Sequence, residues 1–316
     1  MYFRKKLKYY IKNNIGLRKY LCNQKDENAK LNHLAAELTR NTHSIEKGLS
    51  IQSPRLGFGH KKHKEMMEEI QILQKSSSPY HREACIMALD AIKEYLEYHD
   101  QHNYIDDFII SLKDFVKNND FCESHEKMGG TMVLNKSTLD FDIPSIEHFF
   151  DTRHSIRDFD ESEVDGENLK RALELAQKAP SACNRQGVRA YVLDNKGREK
   201  LISQLSGIGG FAQSVNKFVL ITAKTSAYRI DENNQYIVSA SMYAAYLTLT
   251  LHLYGMGACV VQRPVIWNKE WENNRQIFGI DKDEQLICLL AVGNLKDSCV
   301  VPISHRMKNS EMIRFL

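Results

Sequence analysis

The amino-acid sequence predicts an α+β fold that follows an all-helical N-terminal region. Up to about residue 135, apolar residues recur at helical spacing and no run resembles a strand. Beyond about residue 142, helical segments are mixed with short apolar runs that polar residues bound, as they bound buried strands. We therefore expect two domains: residues 1–135, whose role the sequence leaves open, and residues 142–316.

Length and composition describe an ordinary globular chain. Its 316 residues can bury a large core, and 42% are hydrophobic and 26% charged. The net charge of +3 argues against nucleic-acid binding by the whole molecule. The seven cysteines form no Cys-x-x-Cys pair, which predicts reduced thiols, no metal site and a cytoplasmic location. No apolar run approaches the ~20 residues that cross a bilayer, and the N-terminus lacks the apolar core of a secretory signal.

The first twenty residues form a basic amphipathic segment with seven Lys or Arg and no acid. Such a helix can lie on an anionic membrane surface or dock on its own protein, and we favour docking on the protein. Four further helices are expected, at about 27–49, 63–74, 80–99 and 104–116. Polar groups flank the loop after the first of these, where capping and mutual pairing are favoured over a second site. These are His43, Glu46, Lys47, Arg55 and His60.

After a linker that begins at Gly129-Gly130, a helix from Pro144 is expected to carry Ile146, Phe149 and Phe150 inward. Strands are expected at 189–193, 218–223 and 286–293. The helix at about 234–253 is apolar nearly all round and must be buried on all sides. A core helix and a helix at a large subunit interface both satisfy that requirement.

Two polar clusters stand at the ends of one amphipathic helix, at about 166–178. The first cluster contains Arg153, His154, Ser155 and Arg157. Arginine offers forked, permanently charged donors and serine a neutral one, so the cluster suits a phosphate. Taken alone, two arginines near a helix end more often form a solvated face.

The second cluster contains Pro180, Ser181, Asn184 and Gln186. Carboxamides both donate and accept hydrogen bonds, which suits a heteroaromatic ring or a polyol. The alternative is a simple turn, because Pro fixes φ and Ser and Asn bond to their own backbone. The joint occurrence of both clusters favours a ligand.

In order and spacing, the segment Arg-His-Ser-Ile-Arg-Asp-Phe at 153–159, followed by Ala-Pro-Ser-x-x-Asn-x-Gln at 179–186, resembles the opening of the nitroreductase family of FMN-dependent oxidoreductases. The resemblance covers about residues 142–316. It implies a mostly antiparallel sheet flanked by helices, and a homodimer that carries its flavin site at the subunit interface. Residues 1–135 match nothing in the core of the family pattern.

The resemblance also implies roles for individual residues. Arg153, Ser155, Arg157 and Arg306 would hold the FMN phosphate, with His154 beside them. Pro180, Ser181, Asn184 and Gln186 would hold the ring edge and the ribityl chain. Gly257 and Ala258 would close behind the ring, from the partner subunit. Electrons would pass from NADH or NADPH through the flavin to a nitro, quinone or related small-molecule acceptor, without a further catalytic side chain.

Two departures from the family pattern concern the substrate side of the flavin. Gly187-Val188 stands where the family often has Pro-Trp, and Val260-Val261 where it often has Trp. An alternative is therefore a non-catalytic flavin-binding or scaffold protein whose helical N-terminal region recruits a partner or a membrane. A degenerate fold without flavin is opposed by the joint retention of both clusters and Arg306.

Overall fold

A computed structural model describes residues 25–119, 126–202, 210–232, 234–261, 275–307 and 312–315. The predicted basic helix of the first twenty residues lies outside these ranges, as does most of the loop expected at 207–210. In the described part of the chain, no helix is long and apolar enough to cross a membrane.

Four helices make up residues 25–119, the part of the N-terminal region that the structure describes: α1 (Glu27–Leu49), α2 (His60–Leu73), α3 (Pro79–Gln101) and α4 (Asp107–Asn118). The sequence predicts all four to within about three residues. Their starts have local causes. Asp26 accepts a hydrogen bond from the Ala29 amide at 3.0 Å, Asp106 caps α4 in the same way at 2.7 Å, and Pro79 opens α3.

These helices enclose a core of their own, in which α1 packs on α2 and α3. Apolar side chains from all four helices fill it, among them Leu38, Ile70, Leu89, Ile92 and Leu112. At the rim, His43 and Glu46 pair at 3.3 Å. That contact agrees with mutual pairing rather than a second site for these two residues.

Residues 126–131 form a strap across these helices. Carboxylates hold its backbone: Asp90 accepts from the Met128 amide at 2.8 Å and Glu94 from the Thr131 amide at 2.8 Å. Gly129 is buried so closely that an added Cβ would lie 2.0 Å from the carbonyl oxygen of Met87. The predicted linker therefore begins with residues that are hydrogen-bonded to the helical region and packed against it. An exposed apolar stretch follows them. That stretch contains Met132, Val133, Leu134, Leu139 and Phe141.

The C-terminal half contains one four-stranded antiparallel sheet in the described residues, with strand order β1-β2-β4-β3. The strands are β1 (Val188–Val192), β2 (Lys217–Lys224), β3 (Met256–Val261) and β4 (Glu284–Asn294). The helices are α5 (Ile143–Thr152), α6 (Gly166–Ala176), α7 (Asn195–Ile202) and α8 (Gln235–Leu253). The predicted α+β class and the mostly antiparallel sheet are confirmed.

Side chains alternate between the two faces of this sheet, because successive strand residues point to opposite sides. Val219, Ile221 and Leu290 face α6 and α8. Phe218, Leu220 and Leu289 face the other way, in a second cluster with Phe159 and Leu201 of α7. Helices thus cover both faces of the sheet.

The inward placement predicted for α5 is wrong in the single chain. Ile146 and Phe150 are 45% and 56% exposed, and only Phe149 is half-buried.

One face of α8 is likewise exposed to solvent in the single chain. Tyr243, Leu247 and Leu251 are buried against the sheet, whereas the outer face exposes a row of apolar side chains. That row is Ile237, Val238, Met242, Tyr246 and Leu253. The sequence identifies apolar residues but not what covers them.

The helical region packs directly onto the sheet half. Ala36 of α1 is fully buried in the cluster that lies on the sheet. The Asn32 amide donates to Asp283 at 3.2 Å, and a ring nitrogen of His33 lies 2.8 Å from the carbonyl oxygen of Ser226. His81 of α3 completes this polar contact, 3.0 Å from the Asn32 side-chain oxygen.

Candidate functional site

The first predicted cluster leaves the end of α5 and runs alongside β3. The Ile156 amide donates to the carbonyl oxygen of Ala258 at 3.0 Å, and Ser155 forms a parallel bridge with Ala258. Arg153, His154, Gly257 and Ala258 thus surround one small cleft of about 30 Å³. The structure brings together residues that are a hundred positions apart in the sequence.

The cluster carries positive charge that the described residues do not neutralise. Arg157 is exposed, Arg153 is half-buried, and neither has an ion-pair partner within the described ranges. His252 of α8 lies next to this positive charge, with its Nε2 3.0 Å from the Thr152 hydroxyl. Burial lowers the pKa of His252, and the charge of Arg153 lowers it further. An anion is the natural complement of this surface.

Two glycines precede and open β3. Gly255 has φ 72° and follows the end of α8, as a helix-terminating glycine should. Gly257 is buried, and a Cβ there would lie 2.9 Å from Cγ1 of Ile156 and 3.0 Å from Cδ2 of Leu295. Its missing side chain therefore lets the first cluster lie flat on β3.

The second cluster forms a loop with strained backbone. Cys183, Asn184 and Gln186 have φ values of 52°, 53° and 49°, in the left-handed region that non-glycine residues seldom adopt. The Ser181 hydroxyl accepts a hydrogen bond from the Gln186 amide at 3.0 Å. Such strain persists only where surrounding contacts fix the conformation, and it concentrates at functional sites.

Arg185 fixes this loop from within, a role that sequence reasoning missed. Its side chain is buried and forms two hydrogen bonds to Glu232, at 2.6 and 2.7 Å. It also donates to the carbonyl oxygens of Ala182 and Ala227 and lies over the ring of Tyr228. The bonds from Arg185 hold the pKa of Glu232 below its usual value. The signal available in the sequence was an arginine inside an otherwise neutral turn.

The loop opens into a cavity of about 450 Å³, within the range of small-molecule pockets. Pro180, Ser181, Asn184 and Gln186 all line it, as predicted for one shared site. The opposite wall comes from α3 of the helical region, which the sequence did not link to this site. That wall consists of Tyr80, Glu83, Ala84 and Met87.

Arg189 of β1 connects the loop to that wall. Its guanidinium donates to the carbonyl oxygens of Gln186, at 3.0 Å, and Val188, at 2.7 Å. The same group lies 5.1 Å from the ring centre of Tyr80, whose hydroxyl donates to the Arg185 carbonyl at 3.4 Å. Beyond Tyr80 and Arg189 lies a second, polar cavity of about 430 Å³, so this pair forms the partition between the two.

The two predicted clusters do not meet within one chain. The cleft at Arg153 and the cavity at Asn184 share no lining residue. Arg306 lines neither space; it is exposed and donates to the carbonyl oxygen of Ser304. One chain therefore presents two separate half-sites, one cationic and one rich in amides.

A family model described as the nitroreductase family matches residues 151–209, a segment that contains both clusters. No curated protein matches the chain. Among solved structures, an FMN-dependent nitroreductase from Clostridium difficile R20291 is 23% identical, with 53% of this chain and 96% of that chain covered and a TM-score of 0.43.

Two further solved structures cover a similar share of this chain. A nitroreductase family protein from Streptococcus pneumoniae TIGR4 is 17% identical, covering 54% of this chain and all of that one, with a TM-score of 0.45. A nitroreductase-like protein from Streptococcus mutans is 18% identical, covering 55% and 98%, with a TM-score of 0.47. The residues of the two clusters and the family match agree, and the segment 151–209 of this chain is nitroreductase-like.

Proposed function

We propose that the protein is an FMN-dependent oxidoreductase that moves a hydride from NADH or NADPH to a nitro, quinone or related acceptor. The observation that carries the proposal is the pair of half-sites inside the family-matched segment, one cationic and one amide-rich. A flavin mononucleotide has a phosphate at one end and a ring with donors and acceptors at the other. The two half-sites fit those two ends.

The cationic half-site fits the phosphate. Arg153 and Arg157 supply permanent charge that the described residues leave unpaired, and Ser155 supplies a hydroxyl. The backbone here is held by β3, so the donors need little reorganisation on binding. Arg306, which lines neither cavity, would have to approach from another position, and we assign it to the phosphate on the resemblance alone.

The amide-rich half-site fits the ring edge. Asn184 and Gln186 are exposed at the cavity, and their backbone is fixed by Arg185 and Arg189. Carboxamides on a fixed backbone can donate to ring carbonyls and accept from ring N–H groups at a lower entropic cost than carboxamides on a mobile loop. Bound FMN would supply the hydride chemistry itself, and these side chains would hold and orient it.

We propose further that two copies of the chain complete the site. Gly257 and Ala258 lie beside the phosphate cluster of their own chain, so Pro180 to Gln186 is the segment that the partner would contribute. The exposed apolar faces of α5 and α8 adjoin each other, since the ring of Phe149 lies 5.1 Å from that of His252. An apolar surface of this kind favours a homodimer.

The alternative is a flavin-holding protein without turnover, in which the helical region recruits a partner or a membrane. The wall from α3 favours this alternative in one respect, because the helical region then lines the cavity together with the loop at 180–186. We favour the enzyme, acting in the cytoplasm as a homodimer, and keep the division at residues 1–135 and 142–316 as part of the proposal. The cysteines of the described ranges are free thiols, which supports a reducing location.

The test is the visible absorption spectrum of the purified full-length protein, before and after anaerobic NADPH and NADH. The proposal expects oxidised-flavin bands that bleach rapidly with one or both nucleotides and return when a quinone is added. Persistent bands would favour the flavin-holding alternative. A colourless protein that takes up no added FMN would overturn both.

A further inference from the structure

The first two turns of α3 direct one helical face into the cavity. Tyr80, Glu83, Ala84 and Met87 are spaced by three, four and seven positions, which places them on one side of a helix. All four line the cavity of about 450 Å³, opposite Asn184 and Gln186. The wall belongs to the helical region, which the family match at 151–209 does not include.

This wall is held firmly. Tyr80 contacts the guanidinium of Arg189 and the carbonyl of Arg185, so it is tied to the loop on the other side of the cavity. The strap at 126–131 presses Gly129 against the backbone of Met87. A wall fixed at both ends keeps its shape when a ligand enters, which is a condition for selecting among ligands.

The wall is apolar with one formal charge. Ala84 is buried, Met87 is half-buried, and the exposed carboxylate of Glu83 lies at the rim. Both arginines of the lining are already engaged: Arg189 is bonded to two backbone carbonyls and stacked on Tyr80, and Arg185 is paired with Glu232. A molecule that enters between the wall and the amide-rich loop therefore contacts the apolar side chains of the wall. At the edge of the wall it meets the negative charge of Glu83.

We propose that this face of α3 is the acceptor-side wall of the active site and that Glu83 selects against anionic acceptors. The inference rests on the proposed function. It assigns the helical region a part in choosing the acceptor, a planar aromatic compound that is neutral or cationic. A carboxylate on such a compound would be placed against Glu83 without a partner.

The experiment compares the full-length wild type with Glu83→Gln, using 4-nitrobenzamide and 4-nitrobenzoate as acceptors of equal shape and different charge. Glu97→Gln is the matched control, since Glu97 is an exposed carboxylate on the same helix outside the cavity. Glu83→Gln should raise the kcat/KM ratio of anionic to neutral acceptor about fivefold at low salt. The control should leave the ratio unchanged, and high salt should shrink the effect.

A binding measurement supplies a readout that needs no turnover. Calorimetry with benzoate and benzamide should show benzoate bound more tightly by Glu83→Gln than by the wild type, with benzamide unaffected. The inference would be overturned if the wild type and Glu83→Gln had the same kcat/KM ratio of anionic to neutral acceptor, or the same affinity for benzoate. Either result would leave the proposed function standing. A wild type that reduces neither acceptor with NADH or NADPH would overturn the proposed function and this inference together.

Discussion

The guanidinium of Arg185 meets the carboxylate of Glu232 in a paired contact, Nη2 to Oε1 at 2.6 Å and Nη1 to Oε2 at 2.7 Å. The arginine is 1% exposed, whereas the Glu232 side chain is 26% exposed. The pair joins the strained loop at 182–186 to the segment before α8. The loop's conformation thus depends on a residue 47 positions away.

Replacing Arg185 with Met removes this pair and the bonds to Ala182 and Ala227. We expect the free energy of unfolding to fall by about 2–4 kcal/mol, because Glu232 loses its charged partner and the buried carbonyl of Ala227 loses a donor. Denaturant unfolding measures the loss. Lys170→Met is the control, since Lys170 and Glu174 form an exposed pair at 3.8 Å whose loss should cost under about 0.5 kcal/mol. Equal effects in the two variants would contradict the anchoring role.

Arg157→Ala tests the phosphate assignment. The side chain is exposed and unpaired among the described residues, so its removal should leave stability within about 0.5 kcal/mol. FMN affinity should fall about 10- to 100-fold, the loss of a charged hydrogen bond. Fluorescence titration of the apoprotein with FMN measures it. Arg171→Ala, an exposed arginine of α6, should bind FMN like the wild type; an Arg157 variant with wild-type affinity would remove this residue from the site.

Gly257→Ala tests the packing of the first cluster on β3. The added Cβ would fall within 3.0 Å of Ile156, which must shift and move its neighbours Ser155 and Arg157. We expect a loss of about 1–3 kcal/mol in unfolding free energy, together with weaker FMN binding. Gly166→Ala, at the open start of α6, has nothing within 4 Å and should be neutral or slightly stabilising. The prediction fails if both variants behave alike in thermal unfolding.

Met242→Arg tests the proposed subunit interface. Met242 lies on the outer face of α8 and is 42% exposed in the single chain. In a homodimer through this face, an arginine would be buried without a partner, so the dimer should dissociate and release its flavin. Sedimentation velocity and the absorption spectrum record both changes. Ile110→Arg, on an exposed position of α4, should change neither. A Met242 variant that stays dimeric would exclude this face as the interface.

The helical region should depend on pH through Glu69. Burial raises the pKa of Glu69 from 4.5 to about 7, against the hydrogen bonds from Asn41. Because the folded state then holds the Glu69 proton more tightly than the unfolded chain, the contribution of Glu69 to the free energy of unfolding falls as the pH rises from 4.5 to about 7. Buried His63 contributes the opposite slope in this interval, because burial lowers its pKa from 6.5 to about 4. Glu69→Gln removes the Glu69 contribution, so the slope of unfolding free energy against pH over this interval should be more positive than in the wild type. Glu68→Gln, an exposed neighbour, should keep the wild-type slope; a slope unchanged by Glu69→Gln would contradict the assignment.

Local signals in the sequence were sufficient to predict most elements. The bounds of α1 follow from Asp26 and the apolar period, and β2 follows from an apolar run between polar residues. The grouping of Pro180 with Asn184 agrees with the arrangement seen. Gly257, expected behind the flavin ring from the partner subunit, instead lies beside Arg153 of its own chain. The assignment of these residues to a flavin stays a prediction.

Long-range partners were beyond sequence reasoning. Nothing local in Glu232 indicates that it pairs with Arg185, and nothing in Tyr80 indicates that it contacts Arg189. The orientation of Ile146 failed for a related reason. Helical periodicity describes which residues share a face, while the surface that covers the face is a property of the assembled molecule.

The placement of Ala36 and Asn32 has a consequence for how this chain can be divided. A fragment that starts after the polar linker would keep every family motif, yet it would lose the alanine that fills the sheet-side core and the amide that bonds Asp283. The boundary that the sequence predicts at residues 135–142 therefore separates two cores that the packing of α1 joins. Cutting the chain at that point would expose core residues on the sheet to solvent. A fragment that keeps this core buried has to include α1.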